Sequence, residues 1–171
     1  MEAGVEDRSG FSGLWRDRDM SNNAVGFYWT LPVPWAGFTR LPKAVDDAAK
    51  LSRTIHYQQE LIGRYAKENR FCLVHQEVFL EVYPDRASDQ MLEPLRKVKE
   101  LCEAQNAVLL IVDFWQIWRW RHHGQLRNWL DEAGKQIKIC TIYPDKITIG
   151  QEEFSPDVHF SNWRNKQSEW T

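Results

Sequence analysis

One segment of this sequence combines tryptophan, arginine and histidine at a density that indicates a contact surface. It begins directly after Asp113 and contains no acidic residue up to position 130. Its aromatic and basic members are Trp115, Trp118, Arg119, Trp120, Arg121, His122, His123, Arg127 and Trp129. Arginine beside flat aromatic rings can stack nucleic-acid bases, and the same composition is typical of hot spots in protein interfaces. We favour a protein interface, followed by ordinary packing of the rings and then by nucleic acid.

Asp113 is the candidate for catalytic chemistry, because it ends an apolar run and precedes the basic segment. A carboxylate at the end of a buried strand can ligate a metal or meet a phosphate through one. It can equally cap the turn that follows the strand. Together with Arg119, it supports the hypothesis of an enzyme with a site around these two residues.

The other residues that could bind a metal or a cofactor are scattered. The isolated histidines, which we expect on the solvated surface, are His56, His75 and His159. The three cysteines form no C-x-x-C pair, so they are predicted to be buried, reduced thiols; they are Cys72, Cys102 and Cys140. The sequence contains no P-loop, no dinucleotide fingerprint and no nucleophile elbow. We therefore predict neither a metal site nor a cofactor.

The elements that position these residues follow from the spacing of the apolar side chains. Continuous or alternating apolar runs predict strands, and spacings of three and four predict helices. The resulting order is a strand at 25–31, a helix at 48–69, a strand at 71–82, a helix at 89–105, a strand at 107–113, a helix at 124–135, a strand at 136–143, a hairpin strand at 147–150 that pairs back, and a helix from 155 to about 169. Strands that alternate with helices predict an α/β fold with a three-layer, doubly wound, mainly parallel sheet. Its central strand is the apolar run at 107–113.

Composition limits the class of protein. The net charge is −2, and residues 1–24 carry all of it, with five acidic residues against three arginines. We predict that this segment is disordered, that residues 25–150 form the α/β domain and that residues 151–171 add a helical extension. No apolar run reaches the ~20 residues that cross a bilayer, and no secretion signal is evident. We expect a cytoplasmic protein without a membrane partner, and nine tryptophans favour a protein partner.

Four pieces of the sequence occur in a recognisable order. They are the glutamine-containing helix 57–69, the segment Glu93-Pro94-Leu95-Arg96-Lys97-Val98, the apolar strand that runs into 114–119, and the helix end Asp131-Glu132-Ala133-Gly134. In this order and spacing, residues 26–143 resemble the catalytic domain of the serine recombinases, the resolvase and invertase family. The resemblance implies a resolvase-like sheet and, through the dimer helix of that family, a homodimer.

The sequence departs from this family where the family has its functional residues. The family ends its first strand with Arg-x-Ser, whose serine attacks the DNA phosphate, and Trp29 and Leu31 stand at those two positions. After the central strand, Gln116 replaces one arginine of the family pattern and Arg119 keeps the other. Glu93 replaces the arginine that opens the second helix, which reverses the charge. Because a pentavalent phosphate needs several convergent donors, the resemblance implies a degenerate, non-catalytic member.

These observations favour a non-catalytic serine-recombinase-like domain that acts through protein contacts, as a homo-oligomer or an adaptor. Its predicted contact surface comprises Trp115, Trp118, Arg119, Trp120, Arg121, His122 and Arg127. The first alternative is a nucleic-acid-associated relative of the recombinases that binds DNA. The second is an enzyme of another class that uses Asp113 and Arg119.

Overall fold

The computed structural model describes residues 22–30, 42–80, 92–114 and 124–159. Its helices and strands are β1 (Asn23–Thr30), α1 (Val45–Leu51), α2 (Arg53–Glu68), β2 (Cys72–Leu80), α3 (Leu92–Gln105), β3 (Val108–Val112), α4 (Gly124–Ala133), β4 (Ile139–Ile142), β5 (Ile147–Ile149) and β6 (Glu152–Phe154). Strands alternate with helical segments as far as β4, which confirms the predicted α/β class. Within these four stretches, no helix is both long enough and apolar enough to cross a membrane.

Four strands form one parallel sheet in the order β2-β1-β3-β4. The connection from β1 to β2 crosses this sheet in one direction. The connections from β2 to β3 and from β3 to β4 cross it in the opposite direction. Because crossovers between parallel strands are right-handed, α1 and α2 cover one face while α3 and α4 cover the other. In agreement, α3 contacts α4. Helices therefore flank the sheet on both faces.

The strand β3 lies inside the sheet, between β1 and β4. All five of its residues are buried, as expected for a strand that is covered on both faces. This confirms the predicted central strand. By contrast, β4 is shorter than the strand predicted at 136–143. The N–H groups of Gln136 and Ile137 both donate to the carbonyl oxygen of Ala133, at 2.9 Å, and so belong to the end of α4.

The single helix predicted at 48–69 is wrong, because the structure has two helices that meet at Ser52. Ser52 has an extended backbone, with φ −123° and ψ 117°, and its hydroxyl oxygen accepts the N–H of Ile55 at 3.2 Å. It therefore ends α1 and caps the N-terminus of α2. Serine favours this position because its side chain replaces a missing backbone acceptor. The apolar spacing continues through the break, so periodicity alone does not reveal it.

The strand predicted at 147–150 forms a hairpin, but with the chain that follows it rather than with the chain before it. β5 pairs antiparallel with β6, and Gly150 adopts φ +66° in the turn between them. The hairpin packs on α2, where the ring of Tyr57 stacks on that of Phe154 at 4.7 Å. The Tyr57 hydroxyl donates to the carbonyl of Asp145 at 2.5 Å. A strand thus lies in the segment predicted to be helical from 151, and the predicted helix begins at 156.

The cysteines are less uniform than predicted. Cys102 is buried, and this burial, with a smaller contribution from Glu103, raises the pKa of its thiol to about 11. Cys72, at the start of β2, is exposed, so the prediction that it is buried is wrong. The first residue of a strand at the border of a sheet is only partly covered by its neighbours, which explains this exposure.

Candidate functional site

The strand order identifies where a doubly wound sheet places its binding site. The chain winds outward in one direction from β1 and in the other direction from β3, so the order reverses between these two neighbours. In open α/β sheets, ligands bind outside the carboxyl ends of the strands at this reversal. The carboxyl ends in question are those of Asn23–Thr30 and Val108–Val112. The described chain reaches Phe114 at this switch point, and the tryptophan- and arginine-rich segment follows it in the sequence.

Trp29 lies at this carboxyl edge and is 2% exposed. Its backbone N–H donates to Oε1 of Gln58 at 3.1 Å, and its carbonyl oxygen accepts from Nε2 of Gln58 at 2.9 Å. The ladder between β1 and β3 ends two residues earlier, at the pair Phe27↔Ile111. The amide of Gln58 thus supplies the acceptor and the donor that a further strand pair would supply.

Gln58 was not predicted as a site residue, although a signal for it exists in the sequence. It is fully buried, and it lies on the same face of α2 as Ile55, Leu61 and Ile62, which are also buried. Its Nε2 also donates to the carbonyl of Thr54 at 3.2 Å. A glutamine on the apolar face of a helix must find hydrogen-bond partners inside the protein, and here it finds them on Trp29.

The end of β3 is occupied by Asp113 and Phe114, which are 7% and 0% exposed. The backbone N–H of Asp113 donates to the carbonyl of Ile142 at 2.8 Å, which continues the ladder from β3 to β4. Large rings, those of Trp29 and Phe114, are therefore buried at the ends of both strands that form the switch point.

An open groove of about 580 Å³ lies between α4 and β4. Its strand side is formed by Ile139 and Thr141, with Asp113 at the end of β3, and its helix side includes Arg127 and Asp131. Arg127 Nε lies 4.0 Å from Asp131 Oδ1. The basic residues Lys135 and Lys138 also line it. The structure thus brings two of the predicted residues, Asp113 and Arg127, to one surface.

Most other predicted site residues lie outside the described residues. They are Leu31, Trp115, Gln116, Trp118, Arg119, Trp120, Arg121 and His122. Glu93 is described and lies in the first turn of α3, where it forms an ion pair with Arg96. This pairing holds the pKa of the Glu93 carboxyl below its usual range. Glu93 is therefore anionic at neutral pH.

A second cluster surrounds the ring of Phe154, between α2 and the hairpin. The Arg53 guanidinium lies 5.5 Å from the centre of this ring, and the ring of His159 lies 4.9 Å from it. Nε2 of His159 is 3.4 Å from Oγ1 of Thr54. Burial first, and then the charge of Arg53, lower the pKa of His159 to about 4. The prediction of a solvated surface position is therefore wrong for His159.

The remaining histidines also have described surroundings. His75 lies in β2 and its Nε2 is 2.7 Å from Oε1 of Glu77. His56 lines a small cleft of about 110 Å³ together with Arg53 and Glu152. Across the parts of the chain that the structure describes, no three side chains of histidine, cysteine, aspartate or glutamate gather as metal ligands would.

Neither a family model, nor a curated protein, nor a solved structure matches this chain. Its function is therefore inferred from its own residues.

Proposed function

We propose that this chain is a resolvase-like α/β domain that has no strand-cleaving chemistry and acts through contacts with other protein molecules, first of all with further copies of itself. The parallel order β2-β1-β3-β4 supports the doubly wound part of this proposal. The recombinase pieces between residues 26 and 143 support the finer, resolvase-like part.

The observation that carries the proposal is the environment of Trp29. In the recombinase pattern, the end of the first strand holds an arginine and the nucleophilic serine. Here a buried indole ring occupies the arginine position, and Gln58 binds both backbone groups of the same residue. The indole provides no positive charge at the arginine position, and Leu31, at the serine position, provides no nucleophile. Both substitutions support the proposed loss of phosphoryl transfer.

The charge at a second position agrees with this conclusion. Glu93 is ionised beside Arg96 and would repel a DNA phosphate. Arg96 itself pairs with both Glu93 and Glu100. The described beginning of α3 therefore presents paired charges instead of the convergent positive charge that a phosphoryl transition state requires.

The tryptophans that follow β3 in the sequence favour contact with protein. Gln116 replaces one arginine of the family pattern, which weakens phosphate binding, whereas tryptophan supplies a large apolar area with one hydrogen-bond donor, which is typical of interface hot spots. The segment 115–123 contains Trp115, Trp118 and Trp120. We therefore assign the contact to this segment.

Incubation with DNA separates the proposal from its alternatives. The full chain is mixed with supercoiled plasmid and with short single- and double-stranded DNA at several salt concentrations. We expect neither a covalent protein–DNA adduct nor a nicked product, and no binding that weakens steeply with salt. An adduct would contradict the loss of catalysis. Phosphate contacts cause a linear decrease of log K, the logarithm of the binding constant, against the logarithm of the salt concentration. Binding with this salt dependence would contradict action through protein contacts and favour the alternative of nucleic-acid association.

A further inference from the structure

Residues 145–159, which we name the hairpin arm, dock on one side of α2. The arm contains β5, β6 and the beginning of the helix that follows them. The Thr148 carbonyl in β5 accepts from the Arg64 guanidinium at 2.6 Å, and the Asp145 carbonyl accepts from the Tyr57 hydroxyl at 2.5 Å. Side chains of α2 thus hold the backbone of the arm at two places.

The ring of Phe154 is the centre of this docking surface, and it is 4% exposed. It stacks on the ring of Tyr57 at 4.7 Å between the centres. The Arg53 guanidinium from α2 lies 5.5 Å from the centre of the Phe154 ring, and the imidazole of His159 from the arm lies 4.9 Å from it. One aromatic ring therefore contacts a permanent cation from α2 and an ionisable imidazole from the arm.

Docking places His159 against the beginning of α2. Its Nε2 lies 3.4 Å from Oγ1 of the buried Thr54. Burial first, and then the charge of Arg53, lower the pKa of the docked imidazole to about 4. Release of the arm would return the imidazole to water, where histidine titrates near 6.5. A released arm therefore binds a proton more tightly than a docked arm, and acid favours release.

The ionisable groups of α2 beside this cluster favour a neutral imidazole. Arg53 is a permanent cation. His56 and Arg53 line one cleft of about 110 Å³ next to Phe154, and His56 can only add positive charge. The Tyr57 hydroxyl stays neutral, because burial raises its pKa. A proton on His159 would thus add positive charge where positive charge is already present.

The acidic groups on the side of the arm are exposed. Glu152 lines the same cleft, and Asp157 lies two residues before His159 in the chain. Water and salt weaken the attraction of exposed carboxylates for a protonated imidazole, whereas burial disfavours the charged imidazole directly. The surroundings of His159 therefore oppose its protonation as long as the arm is docked.

We propose that the hairpin arm is an acid-sensitive latch, in which protonation of His159 releases residues 145–159 from α2 while the parallel sheet stays folded. Release uncovers the stacked faces of Tyr57 and Phe154. Because an isolated two-stranded hairpin is at best marginally stable in water, the released arm also loses the protection of its backbone amides. The latch needs neither self-association nor a partner, so it goes beyond the proposed function.

Hydrogen exchange of the backbone amides of the full chain, followed by NMR at pH 7 and pH 5, tests the latch. Protection factors, corrected for the intrinsic exchange rate at each pH, report the opening equilibrium of each element. A pKa of 6.5 that falls to about 4 on docking shifts this equilibrium by up to ~20-fold between the two pH values, and solvent screening reduces the shift to about tenfold. We expect this tenfold fall in β5 and β6 and a smaller one in β3. An equal fall in β3, which indicates global unfolding, or no fall in the hairpin would overturn the proposal.

Two matched substitutions assign the effect to one histidine. His159→Gln keeps a polar side chain beside Thr54 but gains no proton in this range, so the tenfold fall should disappear. His56→Gln makes the same substitution on α2, beside the same cluster, and should keep the fall. A fall that persists in His159→Gln, or that disappears in His56→Gln, would overturn the role of His159.

Arg53→Gln keeps the proposal testable if His159→Gln releases the arm at both pH values. Without the guanidinium, a protonated His159 meets less repulsion. The fall in hairpin protection between pH 7 and pH 5 should therefore be smaller than tenfold in this variant. An unchanged or larger fall would overturn the proposal.

Discussion

The side-chain amide of Gln58 binds both backbone groups of Trp29, at 2.9 and 3.1 Å, just beyond the last pair between β1 and β3. A helix thereby replaces a strand partner at the switch point of the sheet. This contact fixes the backbone of Trp29, whose indole ring is buried at the carboxyl edge of the sheet.

Replacing Gln58 tests the energetic importance of this contact. Gln58→Leu keeps a similar volume but leaves two buried backbone groups of Trp29 without their side-chain partner. An unsatisfied buried group costs roughly 1–3 kcal/mol, so we expect the free energy of unfolding to fall by about 2–4 kcal/mol. Urea denaturation measures this change. The adjacent Gln59, whose amide reaches Asp46 on the exposed side, is the control, and Gln59→Leu changes stability by about 0.5 kcal/mol or less. Equal effects of the two substitutions would contradict the role of Gln58.

Ser52 provides a second test, of the break between α1 and α2. Ser52→Ala removes the oxygen that accepts the Ile55 N–H, and loss of an N-cap costs about 1 kcal/mol. Ser52→Gly costs only a few tenths of that because glycine is itself accepted at the N-cap. Thermal and urea unfolding of the two variants should therefore rank alanine below glycine. The opposite order, which helix propensity alone would give, would indicate that residue 52 belongs to a continuous helix.

Gly26 is required by the close approach of Tyr28, which lies on the same side of β1. A Cβ at position 26 would lie 2.8 Å from the Tyr28 hydroxyl oxygen, and that hydroxyl donates to Oε1 of Gln76 at 2.7 Å. We expect Gly26→Ala to destabilise the fold by about 1–3 kcal/mol through overpacking. In the background Tyr28→Phe, where the nearest atom is absent, the cost of Gly26→Ala should be smaller. A double-mutant cycle measures this difference, and full additivity would contradict the contact.

The stability of the chain should fall between pH 6.5 and pH 4 in a way that depends on His159. The folded state lowers the pKa of His159 to about 4, whereas an unfolded histidine titrates near 6.5. As the pH falls through this window, the unfolded chain binds a proton that the folded chain does not, so unfolding becomes more favourable. The contribution is complete above pH 6.5 and is lost by pH 4. Solvent screening at this partly exposed side chain reduces it to roughly 2 kcal/mol.

Urea denaturation of the chain and of His159→Gln at pH 7.0, 5.5 and 4.5 measures this contribution. The acidic residues titrate in both proteins, so their effects cancel in the difference. Arg53, Thr54 and Phe154 face the imidazole, and glutamine retains a polar contact with Thr54. The stability advantage of the unmodified chain over the variant should decrease toward low pH. A difference that is independent of pH would show that His159 titrates like an exposed histidine.

The central strand and the alternation of elements were predictable from sequence because burial on both faces requires a continuous apolar run. β3 has such a run in Val108–Val112, and it occupies the predicted interior position. The break at Ser52 was missed because the apolar positions before and after it keep helical spacing. The partner of the strand at 147–149 was missed because three residues pair equally well in either direction until tertiary contacts, here those of Phe154 with Tyr57, choose one.

The candidate site was predictable in part. The position of Asp113 at the end of a central strand followed from the sequence, but its place in one groove with Arg127 depends on how α4 returns beside β4. The contact of Gln58 with Trp29 joins residues 29 positions apart and required the fold. The contact surface at Trp118 and Trp120 lies outside the described residues and stays a prediction.

Sedimentation equilibrium of the full chain, with and without the double substitution Trp118→Ala and Trp120→Ala, tests the central claim most directly. We predict that the chain of 20.3 kDa forms a stable homo-oligomer, and that the double variant dissociates while its helix content and urea midpoint stay unchanged. Leu51→Ala, which truncates an exposed apolar side chain on α1, should leave the oligomer intact. A monomeric mass at every concentration, or an oligomer that persists in the double variant, would contradict the account.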